Sequence, residues 1–206
     1  MNFYDRYILP KYLDQTMKGK DFEMHRAHVA SGAHGTVLEI GFGSGLNLPH
    51  YKGVSKLYAL DPSRELFDLA QASVRASAFP IEFVQASAEE VPLQDNSVDC
   101  IVSTWSLCSI PDLPAALGEM LRVLKPGGTF SFIEHGASPK RFTAILQHVL
   151  TPFSKKIAGG CHLDRNIERV ITDAGFEITK LEKFATSSKP LAYMYKGAAR
   201  RKNTTP

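Results

Sequence analysis

Apolar residues gather along this chain in short runs, and the stretches between the runs carry a helical apolar step. Val37-Leu38-Glu39-Ile40 is a buried run interrupted by one carboxylate. Lys56-Leu57-Tyr58-Ala59-Leu60, Ile81-Glu82-Phe83-Val84-Gln85 and Cys100-Ile101-Val102-Ser103-Thr104 follow, then Phe130 to Glu134, Phe176 to Leu181 and Pro190 to Tyr195. Runs of this length bounded by turn residues read as strands. Between them, Leu66, Phe67, Leu69, Ala70 and Val74 form one face of a predicted helix from Arg64 to Ser77. Leu113, Ala116, Leu117, Met120, Leu121 and Leu124 do the same from Asp112 to Leu124, where Lys125-Pro126-Gly127-Gly128 stops the helix. Further helices are predicted from about Phe142 to Ile157 and from Asn166 to Ala174. Ahead of the first strand, two short helices flank Pro10 and another covers Phe22 to Ala30. Strands alternating with helices predict an α/β domain built on a parallel sheet. The apolar character of Cys100 to Thr104 marks a central strand covered on both faces. The basic end, Lys196, Arg200, Arg201 and Lys202, is predicted to be solvated.

Size and composition then set limits. The chain has 206 residues, enough for one domain and at most a small cap. With 44% hydrophobic and 22% charged residues it matches an ordinary globular protein. A net charge of +3 predicts no nucleic-acid partner. The three cysteines, Cys100, Cys108 and Cys161, form no CxxC pair. They predict no disulfide framework and no metal site, and favour a reducing cytoplasm. No run approaches the roughly 18 apolar residues of a membrane span, and Met1 to Tyr7 lacks a signal-peptide pattern. The expected partner is a small molecule, the expected state a monomer or homodimer, with peripheral membrane contact left open.

The candidate chemistry starts at Gly41-Phe42-Gly43-Ser44-Gly45. Glycines at alternate positions after a strand allow a tight turn and a close approach of ligand to backbone. Glu39 precedes them, and no Lys-Ser or Lys-Thr follows, so a triphosphate with its Mg²⁺ finds no holder. A carboxylate here repels a pyrophosphate and attracts a cation. Taken alone, the turn also fits a tight loop with no ligand. Asp61, at the end of the second predicted strand, lies sixteen residues after Gly45. It is placed to accept two ribose hydroxyls, with helix capping by Asp61-Pro62-Ser63 as the other reading.

The glycine turn with Glu39, Asp61 after the second strand and the Leu121 to Gly128 turn together resemble the class I S-adenosylmethionine-dependent methyltransferases of the type 11 domain. The resemblance covers about residues 35–135. It implies S-adenosyl-L-methionine as cofactor. It also implies a Rossmann-like, seven-stranded, mostly parallel sheet with helices on both faces and the last strand antiparallel. Cofactor contacts are implied for Glu39, Gly41, Gly43, Gly45, Asn47, Asp61, Pro62, Ser87, Ala88, Ser103 and Trp105. Ser87 stands where an aspartate is common in that family, so the adenine contact there passes mainly to the Ala88 backbone. Residues 1–33 would form a helical lid, 35–135 the cofactor-binding core and 136–170 an acceptor-side cap. A plain packing helix is the equal alternative to the lid, whose candidate ligand-facing residues are Tyr4, Tyr7 and Tyr12.

Leu107-Cys108-Ser109-Ile110, Glu134-His135 and Gly160-Cys161-His162-Leu163-Asp164-Arg165 narrow the resemblance to the methyltransferase-like 7 thiol S-methyltransferases. Animal members of that group begin with a hydrophobic anchoring segment that this sequence lacks. The implied reaction is in-line displacement of a methyl group by a thiol. His135 and His162 are the candidate proton acceptors, and Tyr7, Trp105, Cys108, His135, Cys161 and His162 the candidate substrate contacts. Asp164 would pair with Arg165 or cap the next helix. Other acceptors remain open, a phospholipid amine or a quinone-type ring. So does a different class, a non-catalytic cofactor-binding protein or a dinucleotide-dependent enzyme.

Overall fold

The structure, a computed structural model, describes residues 8–186 and 191–202. Tyr4, Tyr7 and Pro190 lie outside the described residues.

Seven strands form one sheet: β1 (His34–Ile40), β2 (Gly53–Leu60), β3 (Ile81–Val84), β4 (Val98–Thr104), β5 (Leu124–Gly136), β6 (Phe176–Ala185) and β7 (Tyr193–Arg201). Their order is β3-β2-β1-β4-β5-β7-β6. The first five run parallel. β7 enters antiparallel between β5 and β6. The helices are α1 (Leu9–Met17), α2 (Lys20–Ala30), α3 (Arg64–Leu69), α4 (Gln71–Arg75), α5 (Leu113–Val123), α6 (Arg141–Ile157) and α7 (Ile167–Asp173).

Successive side chains of a strand point to opposite faces, so the sheet builds two cores. Leu38, Ile40, Ile101, Phe130 and Phe132 pack with Leu117, Met120 and Ile171 of α5 and α7. Val37, Leu57, Ala59, Cys100, Val102 and Ile133 pack on the other side with Val29, Ala30 and Phe67 of α2 and α3. Caps fix where helices begin. Ser63 Oγ accepts from Leu66 N at 3.2 Å, Asp112 Oδ1 from Ala115 N at 3.1 Å, and Asn166 Oδ1 from Arg169 N at 3.1 Å.

Three expectations change. The single helix predicted from Arg64 to Ser77 divides at Ala70, where Ala70 N bonds Phe67 O at 2.9 Å in a tightened turn. The final strand lies further along the chain than predicted, so most of the basic end is strand rather than solvated tail. Lys196 pairs with Glu182 at 2.7 Å and Arg200 with Glu177 at 3.1 Å, both across the β6–β7 ladder. Cross-strand charge pairs of this kind let a charged segment sit in a sheet. Third, the cap begins α7 with Asn166 rather than Asp164.

α6 has an inverted character. Its buried residues are polar. Gln147 donates to the carbonyls of Gly136 (3.0 Å) and Leu191 (2.8 Å) and accepts from Ser138 N (2.8 Å). Its apolar residues face outward, with Phe142 80%, Val149 65% and Phe153 62% exposed. Among the described residues, no helix is long and apolar enough to cross a membrane.

Candidate functional site

The strand order reverses between β1 and β4, and ligands in open α/β sheets bind beyond the strand ends at such a point. A cavity of about 450 Å³ opens there. Its floor is the turn after β1. Gly41, Gly43 and Gly45 have φ of 67°, 58° and 74°, a region glycine enters without steric cost. Gly41 N and Phe42 N both donate to Leu60 O, which ties the turn to the end of β2. A side chain at Gly41 would strike Ser106 Oγ at 2.1 Å, whereas one at Gly43 would meet only the Gly41 carbonyl at 3.9 Å. Gly43 therefore leaves the approach open.

Carboxylates stand on both sides of the turn. Glu39 is buried, and its two oxygens accept from Asn47 Nδ2 at 2.8 Å and from Tyr51 Oη at 2.7 Å. Burial raises its pKa to about 7. Arg26 of α2 reaches into the same cavity, its guanidinium 4.8 Å from the centre of the Trp105 ring. Burial lowers its pKa to about 10, so it stays cationic at neutral pH. Asp61 accepts from Gly43 N and Ser63 N, each at 2.8 Å. Burial raises its pKa against those two bonds. Each carboxylate oxygen keeps a further lone pair for a ligand.

The opposite wall is the loop after β4. Trp105 there has a φ of 56°, a left-handed conformation uncommon outside glycine. Its backbone N donates to Ile133 O at 2.8 Å, and Phe22 packs edge-on to its ring. Glu134, fully buried, accepts from Ser103 Oγ, Ser106 N and Leu107 N. Arg165 holds the same loop from its carbonyl side, donating to Leu107 O and to Ile110 O. α1 closes the rim with Leu9, Pro10, Leu13, Asp14 and Met17.

Of the residues predicted from sequence, Glu39, Gly41, Gly43, Asn47, Asp61, Pro62, Ser87, Ala88 and Trp105 line this cavity. Gly45, Ser103, Cys108, His135, Cys161 and His162 do not. Gly45 backs the turn instead, where an added Cβ would press on Ala70, Leu48 and Phe42. Ser103 is spent on Glu134. His135 turns its Nε2 to Cys161 Sγ at 2.7 Å rather than toward the cavity. His162 is held by its backbone, which donates to Cys108 O at 2.8 Å, and burial lowers its pKa. Tyr7 lies outside the described residues, and Tyr12 is 57% exposed. Asp164 accepts from His148 Nδ1 and Thr151 Oγ1 of α6 instead of pairing with Arg165. Ser87 donates to Glu89, a further carboxylate lining the cavity.

Sequence reasoning missed Arg26, Asp14 and Thr104. A lone arginine in a helix with little separation of apolar and polar faces carries no signal of the cavity it enters. Two buried acceptors in the cavity, Asn47 Oδ1 and Asp14 Oδ1, have no partner among the described residues. With Arg26 and Glu39 beside them, they fit a ligand end carrying both ammonium and carboxylate. Asp61 fits a vicinal diol, and Ser87-Ala88 a flat polar ring edge.

Residues 38–132 match the family described as "Methyltransferase domain". The chain is 37% identical over 152 residues to the thiol S-methyltransferase TMT1B of Rattus norvegicus, covering 71% of this chain and 62% of that protein. It is 30% identical over 167 residues to the phosphatidylethanolamine N-methyltransferase of Cereibacter sphaeroides, covering 79% of this chain and 81% of that protein. A SAM-dependent methyltransferase from Aquifex aeolicus shares the fold, with a TM-score of 0.65, 18% identity and coverage of 93% and 98% of the two chains.

Proposed function

The chain belongs to the S-adenosylmethionine-dependent methyltransferase family, and on that premise we propose that it transfers a methyl group to a small thiol. The observation that carries the transfer is the glycine turn between Glu39 and Asp61 at the floor of the 450 Å³ cavity. The thiol S-methyltransferases among the relatives support the choice of acceptor, although the chain spans only 62% of the rat protein.

When bound, the cofactor supplies an electrophilic methyl group on a sulfonium. Glu39 and Asn47 would receive its ammonium, Arg26 its carboxylate, and Asp61 its ribose hydroxyls. Trp105 and the loop fixed by Glu134 and Arg165 then bound the space left for the acceptor. Holding donor and acceptor in line contributes on the order of 7–11 kcal/mol. A thiol with a pKa near 8.5 is ionised to a few per cent at neutral pH. The reaction therefore does not require a histidine in the cavity.

A second acceptor, a phospholipid amine, is favoured by one observation. The outward apolar face of α6 is flanked by Lys140, Arg141, Lys155 and Lys156. Such a helix suits an anionic membrane surface. Ala158 and Gly159, which follow α6 directly, line the cavity, so a headgroup has a short path inward. The phosphatidylethanolamine N-methyltransferase relative supports the same acceptor.

The test is calorimetric binding of S-adenosylmethionine beside NAD and NADP, followed by a methyl-transfer screen. The screen covers alkyl thiols, sulfide and phosphatidylethanolamine vesicles. Binding of S-adenosylmethionine alone, with methylated thiol as product, is expected. Methylated lipid with no methylated thiol would replace the first acceptor by the second. Absent binding would remove both.

A further inference from the structure

The functional site leaves unused a cluster that three separate segments assemble. Cys108 belongs to the loop after β4, His135 to the end of β5, and Cys161 to the turn after α6. One ligand atom from each, two sulfurs and one imidazole nitrogen, lie within 4.8 Å of one another. Cys161 Sγ stands 3.7 Å from Cys108 Sγ and 2.7 Å from His135 Nε2. Both cysteines are buried and His135 is partly exposed.

We propose that Cys108, His135 and Cys161 bind a zinc ion, with the fourth position left to solvent or a small ligand. The residue types suit it, since thiolate and imidazole are its preferred donors. The spacing suits it too. Two sulfurs at about 2.3 Å from one tetrahedral zinc stand roughly 3.8 Å apart, close to the 3.7 Å found. A disulfide needs about 2.05 Å. The nitrogen–sulfur separation of 2.7 Å is shorter than the roughly 3.6 Å that a tetrahedral zinc sets between such ligands, so the His135 ring has to move away from Cys161 by about 1 Å when the ion enters. The partly exposed imidazole offers a path of entry.

The ion would act as a clasp. Ser109, next to Cys108, and Gly159, two residues before Cys161, both line the cavity. Zinc at the cluster joins the segment after α6 to the loop after β4 and so fixes two walls at once. This role does not depend on which acceptor is methylated.

The experiment uses the full chain, purified with a reductant, stripped by a chelator and equilibrated with buffered zinc. Metal is counted by mass spectrometry and affinity read by chelator competition. One zinc per chain is expected, and cobalt in its place should give a thiolate charge-transfer absorption. Cys108→Ser, Cys161→Ser and His135→Asn should each weaken binding more than the roughly 10–100-fold that losing an outer-shell partner costs. Cys100→Ser, buried within β4 and outside the cluster, should retain the metal. Circular dichroism checks that each variant is folded. If one variant is unfolded, the other two decide. No zinc above the level of the Cys108→Ser/Cys161→Ser double variant, or zinc retained by that double variant, would overturn the proposal. So would an oxidised Cys108–Cys161 pair that persists in reductant. S-adenosylmethionine binding measured on the same preparations separates this outcome from failure of the methyltransferase reading.

Discussion

Glu39 serves the fold and the site with the same two oxygens. Buried beside Asn47 and Tyr51, its carboxyl has a pKa of about 7, above the ordinary 4.5. A group raised on folding stabilises most below its unfolded pKa, and that contribution is lost as pH rises through the folded value. The difference between wild type and Glu39→Gln should therefore move in favour of the variant between about pH 5 and 8, as read by thermal melts at stepped pH. A ligand ammonium favours the ionised form, so S-adenosylmethionine should bind wild type more tightly at pH 8 than at pH 6. In Glu39→Gln this dependence should flatten. Losing a charged hydrogen bond should also weaken binding by about 1.5–3 kcal/mol, roughly 10–150-fold. Calorimetry at the two pH values reads both effects. At this scale the sequence was legible where chemistry is local. Asp61 and the glycines follow from position after a strand. Arg26 was not legible, because only packing brings α2 over the turn.

Among the elements, α6 separates periodicity from environment. Its length follows from the helical spacing of its apolar residues, but which face is buried does not. Gln147 and Thr151 face inward because they satisfy the Gly136, Leu191 and Leu163 backbone groups. The apolar stripe is then left outside. Val149→Asp/Phe153→Asp should change stability by no more than about 0.5 kcal/mol, as expected for exposed positions. The same pair should abolish sedimentation with anionic vesicles if α6 is the docking face. Binding by wild type should also fall with added salt, because the Lys140, Arg141, Lys155 and Lys156 charges are screened. β7 teaches the complementary lesson. Its charges read as a solvated end until β6 supplies Glu177 and Glu182 as partners.

Across the whole molecule, the sheet carries a core on each face, and Phe130 sits inside the one covered by α5 and α7. Its ring sits 5.3 Å from those of Phe132 and Phe176, and all three are fully buried. Phe130→Ala should cost about 3–5 kcal/mol, seen as a lower midpoint in urea with an unchanged slope. By itself the sequence determined the alternation of strands and helices, the glycine turn, the acidic residues beside it and the family they resemble. Each of these is written in neighbouring positions, through strand and helix periods and through the few residues that fit a tight turn. Only the tertiary structure decided that His135 faces Cys161 and Cys108, that Glu134 and Arg165 grip one loop from two sides, and that Arg26 enters the cavity. These are meetings between segments far apart in the chain, and a period of two or 3.6 residues names a face without naming what lies across from it.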